Sequence, residues 1–152
     1  MNNFSTVRET LIHNQHLHGR IAEFYRQLAR KANHQQVDVL LQLLAKHESK
    51  LMTFLGEYIE EASPKVLDTF YQFDPEQYLD SLFVSDVKPS EISMGMVDSI
   101  AQRIEQYFSD IYQEMADVND NDEVKELFEN LRQHMEQEKK RLTININSLH
   151  DL

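Results

Sequence analysis

The sequence repeats itself at a spacing of 87 residues, and this repeat restricts the possible folds more than any other feature. Tyr25 and Tyr112 are 87 positions apart, as are His47 and His134. The same spacing relates five apolar pairs: Val37 with Val124, Leu40 with Leu127, Leu44 with Leu131, Leu55 with Leu142, and Ile59 with Ile146. Because one offset serves both segments without a gap, we interpret the chain as two copies of one unit.

Each copy has the pattern of two amphipathic helices joined by a short turn. In the first copy, residues 6–62, apolar residues recur at helical spacing on both sides of a turn at 32–35. Thr6 and Glu9 have the spacing of a capping box, which predicts where the first helix begins. In the second copy, residues 91–150, an acidic break at 117–122 separates the helices. Short turns predict that the helices of each hairpin pack antiparallel.

The segment between the copies, residues 63–90, differs from both. It holds all three prolines of the chain and many large apolar residues. Ser63-Pro64 predicts the end of the second helix, and Asp74-Pro75-Glu76-Gln77 reads as a capped short helix. We therefore expect a packed crossover with one or two short helices. Its aromatic residues either seal one side of the bundle or form a subunit contact, and both readings are favoured over a ligand pocket.

Together these patterns predict one all-α domain over residues 1–152, a four-helix bundle of two antiparallel hairpins joined by a long crossover. Only three glycines occur, as expected for long helices, and without cysteine the core must form without disulfides. The net charge of -11 disfavours nucleic acid and membranes as partners. No signal for secretion or membrane insertion is recognisable, so we expect a soluble, cytoplasmic protein.

One acidic residue lies where the second helix should be apolar. Glu48 falls on the same helical face as Leu44, Leu51 and Leu55. A buried carboxylate needs a partner, because an isolated charge in apolar surroundings is very costly. His18 is on the apolar face of the first helix at a similar distance from the turn, so it is the expected partner. Asn14 also lies on that face.

The pattern resembles that of the ferritin-like and rubrerythrin-like carboxylate-bridged di-iron proteins. In that family the first helix of each hairpin carries a glutamate seven residues before a tyrosine. The second helix carries a glutamate followed three residues later by a histidine. Glu105 and Tyr112 match the first motif in the third helix, whereas His18 and Tyr25 occupy the corresponding places in the first helix.

The second family motif is eroded in both hairpins. Glu48 matches its glutamate in the second helix, but Leu51 stands at the histidine position. Met135 and Glu138 occupy the glutamate and histidine positions in the fourth helix. The resemblance implies the ferritin-like arrangement of helices. It also implies a metal site whose surviving candidate ligands are His18, Glu48, Glu105 and Glu138.

Two interpretations of these four residues remain open. They can bind a single iron, manganese or zinc ion, since nitrogen and oxygen ligands suit all three. Alternatively, His18 and Glu48 form a buried pair left from an older site, and we favour this because two ligand positions are apolar. His47 and His134 flank their apolar stripes, and we expect them to be boundary histidines with one ring edge in water.

The function that follows is a ferritin-like bundle with a degenerate di-metal site, acting as a non-catalytic scaffold or partner-binding protein. We expect a homodimer that uses the aromatic crossover. The alternative is an iron- or manganese-binding oxidase or peroxidase of the rubrerythrin type with a reduced ligand set. Nucleophilic catalysis has no support, because the sequence has no cysteine and no nucleophile or phosphate-loop motif.

Overall fold

The computed structural model describes residues 4–72 and 87–150, and the fold is all-α, as the sequence predicts. Phe73 to Asp86, which include the predicted short helix at Asp74–Gln77, lie outside the described residues. The described elements, in chain order, are β1 (Phe4–Thr6), α1 (Val7–Lys31), α2 (Gln35–Glu61), α3 (Pro64–Leu67), β2 (Phe70–Gln72), a 3-10 turn (Pro89–Glu91), α4 (Met94–Val118) and α5 (Asp122–His150).

The long helices begin at the polar residues that can cap them. The Thr6 hydroxyl accepts a hydrogen bond from the Glu9 backbone N–H at 3.1 Å, which confirms the predicted start of α1. Ser93 caps α4 in the same way, with 3.1 Å to the Met96 N–H. The Asn121 side chain accepts from two N–H groups of the first turn of α5.

The helix boundaries follow the spacing of the sequence repeat. Val7 and Met94, where α1 and α4 begin, are 87 positions apart, and so are the final residues Lys31 and Val118. Gln35 and Asp122, the first residues of α2 and α5, have the same separation. The capping residues Thr6 and Ser93 share it as well. The two hairpins are therefore alike in helix length and turn length.

Contacts between helices define their relative directions. The Asn14 side chain meets Tyr112, and one turn later His18 meets Phe108, so α4 runs antiparallel to α1. Helix α2 also returns antiparallel to α1 after the short turn at Ala32–His34. Helices α2 and α4 consequently run in the same direction. The last residue of α2, Glu61, and the first residue of α4, Met94, therefore lie at opposite ends of the bundle.

A two-stranded antiparallel ribbon at the start of the crossover was not expected from the sequence. Strand β1 pairs with β2, with Ser5 opposite Tyr71 and Thr6 opposite Phe70. The backbone N–H of Val7 also donates to the Thr69 carbonyl at 3.1 Å. The chain preceding α1 is thus hydrogen-bonded to the first part of the crossover.

The core lies between the four long helices, and α1 and α2 approach each other closely. A methyl group added at Gly19 would come within 2.9 Å of the Met52 sulfur, and one added at Gly56 within 2.8 Å of Gln15 Nε2. Apolar side chains fill most of the interior. Its buried polar members include Asn14, His18, His47, Glu48, Glu105 and Glu138. Among the described helices, none is long and apolar enough to cross a membrane.

Candidate functional site

His18 and Glu48 form a hydrogen-bonded pair in the centre of the first hairpin. His18 Nδ1 lies 2.6 Å from Glu48 Oε2, and the two side chains are 0% and 2% exposed. This hydrogen bond joins a ring nitrogen to a carboxylate oxygen, so each of these buried polar atoms has the other as its partner. The predicted contact between α1 and α2 is confirmed, and the buried carboxylate has its partner.

The remaining nitrogen of His18 is a buried polar atom without a hydrogen bond. Its Nε2 has no partner among the described residues. The imidazole ring stacks on Phe108 of α4, with ring centroids 4.0 Å apart and planes 17° from parallel. The ring is therefore held between a carboxylate at one edge and an aromatic face, which restricts how it can turn.

Glu105 and His47 form a second buried pair, and this pair joins the two hairpins. His47 Nε2 on α2 lies 2.8 Å from Glu105 Oε1 on α4, with side chains 6% and 10% exposed. Burial alone would lower the pKa of His47. The hydrogen bond and charge of Glu105, together with the charges of Glu48 and Glu138, outweigh burial and raise this pKa. His47 is more buried than predicted: Glu105 of α4 covers its Nε2 edge, and the residue also lines the crevice described below.

The repeat explains why Glu105 bonds across the hairpins. His18 and Glu105 are equivalent positions in the two copies, since they are 87 residues apart. The equivalent of Glu48 is Met135, which is buried and cannot form an ion pair with a carboxylate. Glu105 consequently has no partner on α5 like the one that His18 has on α2, and it bonds to His47 of the other hairpin.

Glu138 has a third kind of partner. Its Oε1 accepts a hydrogen bond from Arg141 Nη1 at 3.0 Å, one turn further along α5. The Glu138 carboxylate is 10% exposed, whereas the Arg141 side chain is 68% exposed. Glu138 and His47 both line a crevice of about 90 Å³ between α2 and α5.

The four predicted metal ligands thus lie on four helices but in separate pairs. Among residues 4–72 and 87–150, no group of three or more His, Asp or Glu side chains is placed to hold a metal ion. Leu51 and Met135, at the family's ligand positions, are packed in the apolar core. These residues do not fit a di-metal centre. Whether His18, Glu48, Glu105 and Glu138 bind one ion stays a prediction.

The two repeat-related tyrosines are buried beside the pairs. Burial raises the pKa of Tyr25 well above its usual value, and the charges of Glu48 and Glu105 raise it further. Burial also raises the pKa of Tyr112, although the hydrogen bond from Asn14 acts in the opposite direction. Asn14 Nδ2 donates to the Tyr112 hydroxyl over 3.3 Å. Both phenols are therefore neutral around pH 7.

His134, the repeat equivalent of His47, has different surroundings. Its ring stacks on Phe54 of α2, with centroids 3.5 Å apart and planes 9° from parallel. Burial lowers the pKa of His134, only partly offset by the charge of Glu138. The expected boundary position of His134 is confirmed, since the residue is half-buried.

Comparison of the chain with protein-family models, with curated proteins and with solved structures finds no match. The assignment of function therefore depends on the geometry of the buried pairs.

Proposed function

We propose that this protein is a ferritin-like helical bundle in which buried ion pairs take the place of the di-metal centre. In this proposal it works as a non-catalytic scaffold or partner-binding protein in the cytoplasm. The observation that carries the proposal is that each candidate carboxylate ligand already has a partner from the same chain. Glu48 bonds to His18, Glu105 to His47, and Glu138 to Arg141.

These pairs reduce the driving force for metal binding. A divalent ion would have to displace a histidine or an arginine from each carboxylate and leave that group buried or unpaired. The apolar Leu51 and Met135 remove two further ligands of the family motif. The chain therefore has fewer donors than the family's six, and those that remain are already hydrogen-bonded.

The helix directions support the ferritin-like part of the proposal. Helices α1 and α4 are antiparallel, α2 and α4 are parallel, and the long connection lies between α2 and α4. Among four-helix bundles, one long crossover between two hairpins is typical of ferritin-like folds. The helix starts and the turn length that the two hairpins share support an origin by duplication of one hairpin.

Elemental analysis of the native protein, purified anaerobically and never exposed to chelators, tests the proposal. We expect iron, manganese and zinc to be far below one ion per chain, and the same in wild type and Glu48→Ala. Stoichiometric metal in the wild type that is lost in Glu48→Ala would overturn it. Far-ultraviolet circular dichroism of both proteins checks that the variant keeps its helices.

A second candidate function is an iron- or manganese-binding oxidase or peroxidase with a reduced ligand set. The observation that favours it is the buried His18 Nε2, which has no partner among the described residues. A buried nitrogen without a partner is uncommon in proteins, because buried polar groups are nearly always bonded to protein, water or an ion. If this candidate is right, added Mn²⁺ or Fe²⁺ raises the melting temperature of the wild type, and His18→Phe abolishes this rise.

The scaffold role includes a proposed homodimer formed through the crossover. Phe70, at the start of the crossover, is 67% exposed. We expect Phe70→Ser to weaken self-association in sedimentation velocity experiments. Ile144→Ser is the matched control, because Ile144 on α5 is 65% exposed. A monomeric wild type, or equal weakening by both variants, would contradict the crossover as the interface.

A further inference from the structure

The crevice between α2 and α5 is lined by three basic side chains on a protein that is acidic as a whole. Lys46 and Lys50 of α2 line one wall, and Arg141 and Asn145 of α5 line the other. All four side chains are exposed at the mouth. The chain as a whole has a net charge of -11, so three cations around one small opening differ sharply from its average surface.

The two lysines are placed unfavourably for the helix that carries them. Lys46 and Lys50 are four residues apart on α2, a spacing at which like charges destabilise a helix. No acidic residue of the described chain lies within ion-pair distance of either lysine. Gln42 lies four positions before Lys46, and Phe54 lies four positions after Lys50. Both are uncharged, so neither can form an ion pair with its lysine along the helix. These cations are thus free to bind a ligand from solution.

Three residues that line the crevice are buried, the polar His47 and Glu138 and the apolar Leu142. His47 uses Nε2 to bond Glu105, and its Nδ1 has no hydrogen-bond partner among the described residues. The Glu138 charge is balanced by its bond to Arg141, and one such bond leaves further guanidinium N–H groups for a second acceptor.

We infer that this crevice binds a small tetrahedral oxyanion of the phosphate or sulfate class. The volume of about 90 Å³ exceeds that of a single water site and suits an ion of this size. Lys46 and Lys50 supply two charges from one side, and the Arg141 guanidinium and the Asn145 amide supply directed donors from the other. Glu138 also lines the crevice and would repel an anion, but three cations against one carboxylate leave two positive charges in excess, which favour an oxyanion and disfavour a divalent cation.

Binding of inorganic phosphate, measured by isothermal titration calorimetry at constant ionic strength, tests the inference. We expect one ion per chain for the wild type, and competition by sulfate but not by chloride. Lys46→Gln/Lys50→Gln should weaken binding by about tenfold or more, since it removes two charge-assisted contacts. Lys139→Gln/Lys140→Gln is the matched control, because it removes the same charge from exposed positions on α5 that do not line the crevice.

Lys139→Gln/Lys140→Gln should change the affinity for phosphate by no more than about twofold, because it alters only the overall charge of the protein. No phosphate binding by the wild type would overturn the inference. Equal weakening by both double variants would also overturn it, because non-specific attraction would then explain the binding. The imidazole resonances of His47 should shift on titration with phosphate in the wild type, whereas those of His134 should not. This readout places the ion in the crevice without relying on a variant.

A phosphate ester distinguishes a free ion from a larger ligand. An open groove lined by Phe54 and Thr53 shares Lys46 and Lys50 with the crevice. If phenyl phosphate binds no more tightly than inorganic phosphate, the site takes the free ion. Binding of phenyl phosphate at least about tenfold tighter would overturn the free ion as the ligand.

Discussion

His18 and Glu48 are joined by a 2.6 Å hydrogen bond in the middle of the first hairpin, with both side chains almost completely buried. We expect His18→Ala to lower the free energy of unfolding by about 3 kcal/mol or more, because it leaves the carboxylate buried and unpaired. His18→Leu/Glu48→Leu should be close to neutral, because a well-packed apolar pair avoids the cost of burying two polar side chains.

Urea unfolding of the single and double variants measures this coupling. His134→Leu is a suitable control, since His134 is half-buried and has no ion pair among the described contacts. If the double variant loses as much stability as the sum of the two single variants, the pair does not act as a unit.

The His47–Glu105 pair predicts a dependence of stability on pH. The pKa of His47 is raised in the folded protein, so the folded protein holds the His47 proton more tightly than the unfolded chain does. This contribution is fully present below about pH 6.5, the value of an unperturbed histidine, and is lost as the pH rises through the raised pKa.

His47→Gln removes the titrating group and keeps a donor side chain. We expect the difference in unfolding free energy between wild type and His47→Gln to shrink as the pH rises above about 6.5. Chemical denaturation at a series of pH values gives this difference. A constant difference across the series would contradict a folded pKa above the ordinary one.

The two equivalent helix caps should contribute similar stability. Thr6→Ala and Ser93→Ala each remove a side-chain acceptor for an N–H group of the first turn, which costs about 1 kcal/mol. Thermal and urea unfolding measure both losses. Ser90→Ala is the control, since Ser90 is exposed and should change stability by less than about 0.5 kcal/mol. Losses no larger than that of the control would show that these hydrogen bonds do not stabilise the helices.

Restoring the eroded family motif should create metal binding where the native chain has little. The variant His18→Glu/Leu51→His/Met135→Glu/Glu138→His supplies the ligand types that the resemblance implies at those positions. We expect Zn²⁺ or Mn²⁺ to raise its melting temperature, because a bound metal stabilises the state that binds it. The same ions should leave the wild type unchanged. A restored variant that is folded yet insensitive to metal would count against the ferritin-like assignment of these positions.

The long helices could be predicted because their signals are local. The capping pair Thr6 and Glu9, the short turn after Lys31 and the apolar periodicity depend only on neighbouring residues. The contact between His18 and Glu48 could also be predicted, because a short turn sets the register of two antiparallel helices. The ribbon of β1 and β2 could not be predicted, because each strand has three residues, too few for a period-two pattern to show.

The second pair could not be predicted, because it depends on how the hairpins pack against each other. On a helical wheel His47 lies beside the apolar stripe of α2, as a half-exposed residue would. Its burial follows from the position of α4, which no local signal determines. The one available hint was that Glu105 lacks a polar equivalent of Glu48 on α5, so that its partner had to come from elsewhere.

The bond between Glu105 and His47 favours some pairings of hairpins over others. Two copies of the first hairpin would place His18, not a glutamate, at the position opposite His47, and two histidines cannot form the same charge-assisted bond. Two copies of the second hairpin would place His134, the repeat equivalent of His47, opposite Glu105, so an imidazole would still face the carboxylate. The bond therefore disfavours a pair of two first hairpins, and exchange of hairpins between molecules should keep at least one second half in every pair.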